Sequence, residues 1–272
     1  MHPPSAAPQP AQPIPGVRNI LAVGSGKGGV GKTTVSVNLA ISLSRLGFRV
    51  GLLDADVYGP NVPLMMGVNQ APYAVDNRIQ PLERGGLKLM SMGFLNPGDK
   101  PLVWRGPMLH SVMQQFLRGT DWGNLDFLVI DLPPGTGDVA LSLIQTAPLS
   151  GAVIVTTPSD VSLEDARKAV NMFRQVRVEV VGLVENMSYL IAPQSKERID
   201  VFGTGGGRRM AEQMDIPYLG ELPLDPAVRI GGDSGHPVAL DNAPGFLALA
   251  QAVSSRLRET GGSRAPSMTV ED

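Results

Sequence analysis

The chain has 272 residues, 43% of them hydrophobic and 18% charged, with a formal net charge of −2. That is enough apolar material for one large α/β domain or two small ones, and it excludes a chain disordered throughout. No cysteine occurs anywhere, which excludes disulfides, a thiol nucleophile and thiolate-ligated metals from this polypeptide.

Residues 1–16 hold six prolines and no aromatic residue, too little apolar surface to offset the entropy of ordering, so they are expected to form a flexible tail. Residues 260–272 are polar and Gly/Ser-containing and read the same way, which leaves 17–259 as the folded body. Within it, short apolar, β-branched runs predict strands at Asn19–Val23, Arg49–Leu53, Phe127–Ile130, Ala152–Val155, Val180–Val184 and Tyr218–Leu222. Longer segments predict helices over Thr33–Leu46, Pro107–Leu117, Asp138–Ala147, Ser162–Val176, Gly206–Met214 and Pro244–Arg258. Ser162, with Asp165 after it, reads as an N-cap, and Gly47 as a helix stop. The strands are apolar on both faces, as parallel strands covered on each side are. Their alternation with helices predicts an α/β fold: a doubly wound, mostly parallel sheet with helices on both faces.

Gly26-Lys-Gly-Gly-Val-Gly31-Lys32-Thr33 matches the P-loop pattern without a gap, directly after a predicted strand and opening a predicted helix. Its glycines let successive N–H groups turn inward around phosphate, and the helix N-terminus adds its partial positive charge. The binding residues are therefore Gly26, Lys27, Gly28, Gly29, Val30, Gly31, Lys32, Thr33 and Thr34, with Lys32 placed for terminal phosphates and the Thr33 hydroxyl for Mg²⁺. Asp54 and Asp56 follow the second predicted strand and Asp131 the third core strand. Strand C-terminal ends line the ligand crevice of a parallel sheet, so the three carboxylates should converge near the P-loop. Pro133, Pro134, Gly135 and Gly137 form a segment suited either to a switch loop or to a rigid turn. Asn186 and Pro223 close two further strands.

The extra lysine, Lys27, makes the loop resemble that of the deviant Walker A ATPases, the MinD/ParA-like group. That resemblance implies a homodimer with ATP sandwiched at the interface, Lys27 reaching the partner's nucleotide. It also implies that Asp131 holds Mg²⁺, that Asp54 supports the metal, that Asp56 orients or activates the attacking water, and that Asn186 reads adenine with Pro223 packed near the ring. Three further segments narrow the match: Asp54-Ala-Asp-Val-Tyr-Gly-Pro-Asn61; Val103-Trp-Arg-Gly-Pro-Met108 with Gln114-Gln-Phe-Leu117; and Glu185-Asn-Met-Ser188 followed by Phe202-Gly-Thr-Gly-Gly206. Over residues 17–250 the chain is similar to the Mrp/ApbC family of iron–sulfur cluster carrier ATPases. The family implies slow, Mg-dependent ATP hydrolysis serving cluster assembly and transfer to apoprotein clients. It also implies a Cys-x-x-Cys pair after Glu185–Ser188, where this chain has Ala192 and Ser195. An iron–sulfur cluster held in that way has no ligands here.

Two other functions are open at this point: a nucleotide-switched adaptor, and a ParA/MinD-like positioning ATPase. Against the second, no basic stripe and no basic amphipathic C-terminal helix is seen. No apolar run approaches the ~18 residues of a membrane span, and a cytoplasmic protein without nucleic-acid or membrane partners is expected. The three histidines, His2, His110 and His236, are too scattered to form a metal centre.

Overall fold

The computed structural model describes residues 12–95 and 106–259. Strands β1 (Val17–Ser25), β2 (Val50–Asp54), β3 (Tyr73–Val75), β4 (Arg78–Gln80), β5 (Leu82–Arg84), β6 (Leu87–Ser91), β7 (Leu125–Asp131), β8 (Gly151–Thr156), β9 (Val180–Glu185), β10 (Leu190–Ile191), β11 (Arg198–Ile199) and β12 (Tyr218–Glu221) are joined by eight α-helices among the described residues. These are α1 (Lys32–Arg45), α2 (Val62–Met65), α3 (Gly106–Gln114), α4 (Asp138–Thr146), α5 (Asp160–Gln175), α6 (Gly206–Gln213), α7 (Pro226–Asp233) and α8 (Pro244–Glu259).

The main sheet has eight strands in the order β12-β9-β8-β1-β7-β2-β6-β5. Every neighbouring pair is parallel except β5–β6 at the edge. This is the doubly wound, mostly parallel sheet read from the sequence. Alternate residues of one strand feed opposite layers, which is why no polar face shows in the pattern. Ala152 and Ile154 of β8 enter the layer under α3–α6, whereas Val153 and Val155 enter the layer under α1 and α8.

Several expectations are corrected. Helix α5 begins at Asp160, with Ser159 as the N-cap residue, so Ser162 is not the cap. It is buried in the first turn and takes a hydrogen bond from Thr157 Oγ1 at 2.7 Å. The tail ends sooner than residue 16, because Ile14 is buried in the core and Arg118 donates to the Gln12 and Pro13 carbonyls. Residues 1–11 and 260–272, and Val103 to Arg105 of the narrower match, lie outside the described residues. β5, β6 and α7 carry no predicted counterpart. Gly47, at φ +89°, does end α1, donating to the Ser44 carbonyl at 2.9 Å. Among the described residues no helix is long and apolar enough to cross a membrane.

Candidate functional site: a phosphate cradle at the switch point of the sheet

The central strand β1 has β7 on one side and β8 on the other, and from there the chain winds outward in both directions. The crevice at such a reversal lies beyond the strand C-termini. Residues 26–31 bridge the end of β1 and the start of α1 there. Gly29 and Gly31 hold φ of +82° and +80°, a conformation in which a side chain would be strained. Gly31 is doubly constrained, since a Cβ would sit 2.3 Å from Asn186 Nδ2. At Gly26 a Cβ would fall 2.0 Å from the Asp165 backbone, so the loop lies directly on α5. No side chain caps α1, and its first N–H groups are left for a ligand, as at other anion-binding helix starts. Lys27, Gly28, Gly31, Lys32, Thr33, Thr34, Asp56 and Pro134 surround a recess of about 230 Å³.

Parallel pairing puts Asp54 of β2 directly opposite Asp131 of β7. Both carboxylates are fully buried, and α1 supplies donors to one of them. Lys32 Nζ lies 2.8 Å and Ser36 Oγ 2.6 Å from Asp131 Oδ1, and Thr33 Oγ1 is 2.7 Å from Oδ2. Lys32 Nζ also approaches Asp56 Oδ2 at 3.8 Å. Asp56 turns its other oxygen to the backbone N–H groups of Tyr58 and Gly59, at 3.1 and 3.3 Å. Asp54 is held from behind: it accepts from Ser91 Oγ at 2.8 Å and from the Val62 and Asp56 amides at 3.2 Å each. Burial, then repulsion by Asp131, raises the Asp54 pKa to about 7 against its three hydrogen bonds. Burial likewise raises Asp56, opposed first by Lys32.

Asn186, just past β9, donates its amide to the Val30 carbonyl at 2.9 Å and so ties the P-loop to the next wall. Beside it opens a cleft of about 460 Å³, lined by Thr34, Asn61, Met65, Asn186, Pro223 and Asp225 among others. The switch segment reaches the P-loop too, Gly135 N donating to the Ser25 carbonyl at 3.0 Å. Lys27, Lys32, Thr33, Thr34 and Asp56 thus line the recess and Asn186 and Pro223 the neighbouring cleft, whereas Asp54 and Asp131 lie buried and line neither. Reading of the sequence missed Ser36, Ser91 and the wall made by α2 and α7. Only α7 carried a signal: Asp225 caps it through the Ala227 amide, followed by Pro226 in its first turn.

The Lys27 side chain stands apart from this network: half-buried, its ammonium has no hydrogen-bond or ion-pair partner among the described residues, while its carbonyl accepts from Ser25 Oγ at 2.9 Å. Ala192 and Ser195 sit in the connection between β10 and β11, away from the aspartates. Ser195 Oγ donates to Glu197 at 3.2 Å. The hairpin is held by Arg198, which pairs with Glu221 at 2.8 Å and Asp200 at 2.9 Å and stacks over Tyr189 at 4.1 Å.

Among the described residues no three acidic, histidine or cysteine side chains are gathered closely enough to hold a metal by themselves. The Thr33 hydroxyl beside the Asp131 carboxylate is nevertheless a hard-oxygen pair of the kind that shares Mg²⁺ with nucleotide phosphates, so the donor set fits that ion.

A family model described as ParA: NUBPL iron-transfer P-loop NTPase matches residues 16–255. The iron-sulfur cluster carrier protein of Deinococcus radiodurans is 54% identical over 253 residues, 92% of this chain and 71% of that one. The iron-sulfur cluster transfer protein NUBPL of Mus musculus is 48% identical over 257 residues, 92% of this chain and 81% of that one. Among solved structures, a nucleotide-binding protein from Archaeoglobus fulgidus in complex with ADP superposes with a TM-score of 0.75 at 36% identity, covering 85% of this chain and 90% of that one. The cell division ATPase MinD of Pyrococcus furiosus shares the fold, with a TM-score of 0.62 at 24% identity, over 88% of this chain and 99% of that one.

Proposed function

The chain belongs to the iron-transfer P-loop NTPase family, and from that premise we propose that it binds ATP with Mg²⁺, hydrolyses it slowly as a homodimer, and serves iron–sulfur cluster assembly or transfer to apoprotein clients. The observation that carries the reading is the pairing of Asp54 with Asp131 beneath a P-loop whose Lys32, Thr33 and Ser36 all face one carboxylate. The backbone amides of 26–31 cradle the phosphates, and Lys32 brings its ammonium from the aspartates to the terminal ones. Asn186 and Pro223 take the base in the larger cleft. Thr33 and Asp131 would hold Mg²⁺, with Asp54 behind them, and the ion when bound neutralises charge on the phosphate oxygens. Asp56, its proton affinity raised by burial, orients water for attack on the γ-phosphorus. The bond to the bridging oxygen breaks, and ADP and phosphate leave. Lys27, whose ammonium has no partner among the described residues, is the lysine that reaches the nucleotide of a second copy.

The cargo is treated as a substrate. With Ala192 and Ser195 on the hairpin and no thiolate in the chain, this polypeptide does not bind a cluster through cysteine, and any part in transfer runs through other chains. One experiment addresses both halves. After anaerobic incubation with iron and sulfide, the protein should release phosphate from labelled Mg-ATP, at about 10⁻⁴ to 10⁻³ per second as unassisted switch NTPases do, without visible charge-transfer absorption. Lys32→Ala should abolish the release. Full turnover in Lys32→Ala would defeat the assignment of Lys32, and a cluster spectrum from the wild-type chain would defeat the cargo reading.

A further inference from the structure

We infer that Ser36 is a positioning residue for Asp131, fixing the direction of that carboxylate when a phosphate competes for the Lys32 ammonium and so setting how tightly Mg²⁺ is held with ATP. The inference rests on the Mg-ATP reading above.

Asp131 has five side-chain neighbours to consider. Asp54 across the sheet and Asp56 repel it. Lys32 holds Oδ1 at 2.8 Å, but its ammonium is the group a phosphate draws away. Thr33 donates to Oδ2 at 2.7 Å, and its oxygen is the one offered to a metal. Ser36 alone has no other duty toward the ligand. It lies on α1 one turn beyond Lys32, is fully buried, and does not line the recess. Its oxygen is 2.6 Å from Asp131 Oδ1 and 3.0 Å from the Lys32 carbonyl. A hydroxyl has one proton, and the shorter, charge-assisted contact takes it. A serine inside a helix commonly bonds back to the carbonyl four residues earlier; here the carboxylate outcompetes that bond. With Lys32 shared with phosphate, Ser36 is the fixed donor that keeps Oδ1 in place, and Oδ2 therefore stays turned toward Thr33.

The test titrates Mg²⁺ into the whole chain with a fluorescent ATP analogue, and measures affinity for the same analogue in EDTA. Ser36→Ala, which suits a helix interior, should raise the Mg²⁺ midpoint about tenfold, the low end for a hydrogen bond to a charged group, and leave the EDTA affinity unchanged. Ser36→Thr, which restores the hydroxyl, should return the midpoint toward wild type. Ser42→Ala, a buried serine of the same helix with no carboxylate partner, should not move it. An unchanged midpoint in Ser36→Ala overturns the inference. So does an equal fall with Mg²⁺ and in EDTA, or an equal shift in Ser42→Ala, since either would make the hydroxyl a prop for the helix. A wild-type chain that binds the analogue in neither buffer overturns the Mg-ATP reading itself, and the inference with it.

Discussion

The phosphate crevice and the β10–β11 hairpin both lie beyond strand C-termini, yet they are built on different physics. In the crevice Lys32, Asp54 and Asp131 are buried: Asp54 is held by Ser91 of β6 and the Val62 amide of α2, and Asp131 of β7 by Lys32, Thr33 and Ser36 of α1. At the hairpin, Arg198 pairs with Asp200 two residues on and with Glu221 of β12, all three about a third or more exposed. Removing one member of a buried ionic network strands the others, at about 3–5 kcal/mol, whereas an exposed pair contributes about 0–1 kcal/mol. The crevice is therefore fixed by the fold. The hairpin, whose connection carries Ala192 and Ser195, can exchange residues at little structural cost.

The sharpest way to break this contrast is in the P-loop. Gly31→Ala places a Cβ at φ +80° and 2.3 Å from Asn186 Nδ2, so either the loop or Asn186 must shift. Backbone strain of this kind costs about 1–3 kcal/mol, and here it falls on the atoms that cradle phosphate. Nucleotide affinity, followed by titration with a fluorescent analogue, should drop by about a hundredfold or more, roughly 2.8 kcal/mol. Wild-type affinity would mean that the crevice tolerates change as readily as the hairpin.

A smaller effect comes from Asp54, whose pKa is raised from 3.8 to about 7. The sign follows from proton counting. Between those values the folded state holds a proton that the unfolded state has released, so stability falls as pH rises through the window, by at most about 1.4 kcal/mol per pH unit. Urea midpoints without nucleotide, in EDTA, should decline from pH 5.5 to 7.5. Asp54→Asn, which removes the titrating group, should flatten that slope. A steeper decline in the variant would place the buried charge elsewhere.

How legible each region was in the sequence follows the same divide. Five buried strands declared themselves by apolar runs, the half-buried edge strand β12 by a shorter run that Glu221 interrupts, and the P-loop by glycines that nothing else explains in that context. Asp54 and Asp131 were placed by the rule for strand ends, and the register shows why that suffices: parallel neighbours of matched length end side by side. Ser36 and Ser91 were silent, because a serine whose hydroxyl meets a carboxylate 95 or 37 residues away looks like any helix or strand serine until the sheet brings the two together. β6 was missed because Lys88 and Ser91 interrupt its apolar run, and α5 was started late because Ser162 looks like a cap although Ser159 holds the N-cap position. The hairpin left no period to read, β10 and β11 being two residues each.

The smallest expected effect tests whether the two regions are separate at all. Arg198→Ala removes exposed pairs with Glu221 and Asp200 and a stack on Tyr189, contacts that solvent screens. The melting temperature should move by a few degrees and nucleotide affinity by less than about twofold, while amide exchange over 190–199 should quicken, since the hairpin loses its main tie. A line of contacts nevertheless runs inward from this arginine. Ser188 Oγ lies 3.2 Å from Glu221 and closer to the buried Glu185, the two carboxylates competing for its one proton, and Glu185 adjoins Asn186 at the wall of the base cleft. Should Arg198→Ala weaken nucleotide binding tenfold, that line transmits, and the hairpin belongs to the nucleotide site. If binding holds while exchange quickens, Glu185 is anchored well enough by Ser188 and the Gly207 amide to insulate the cleft from what the hairpin does.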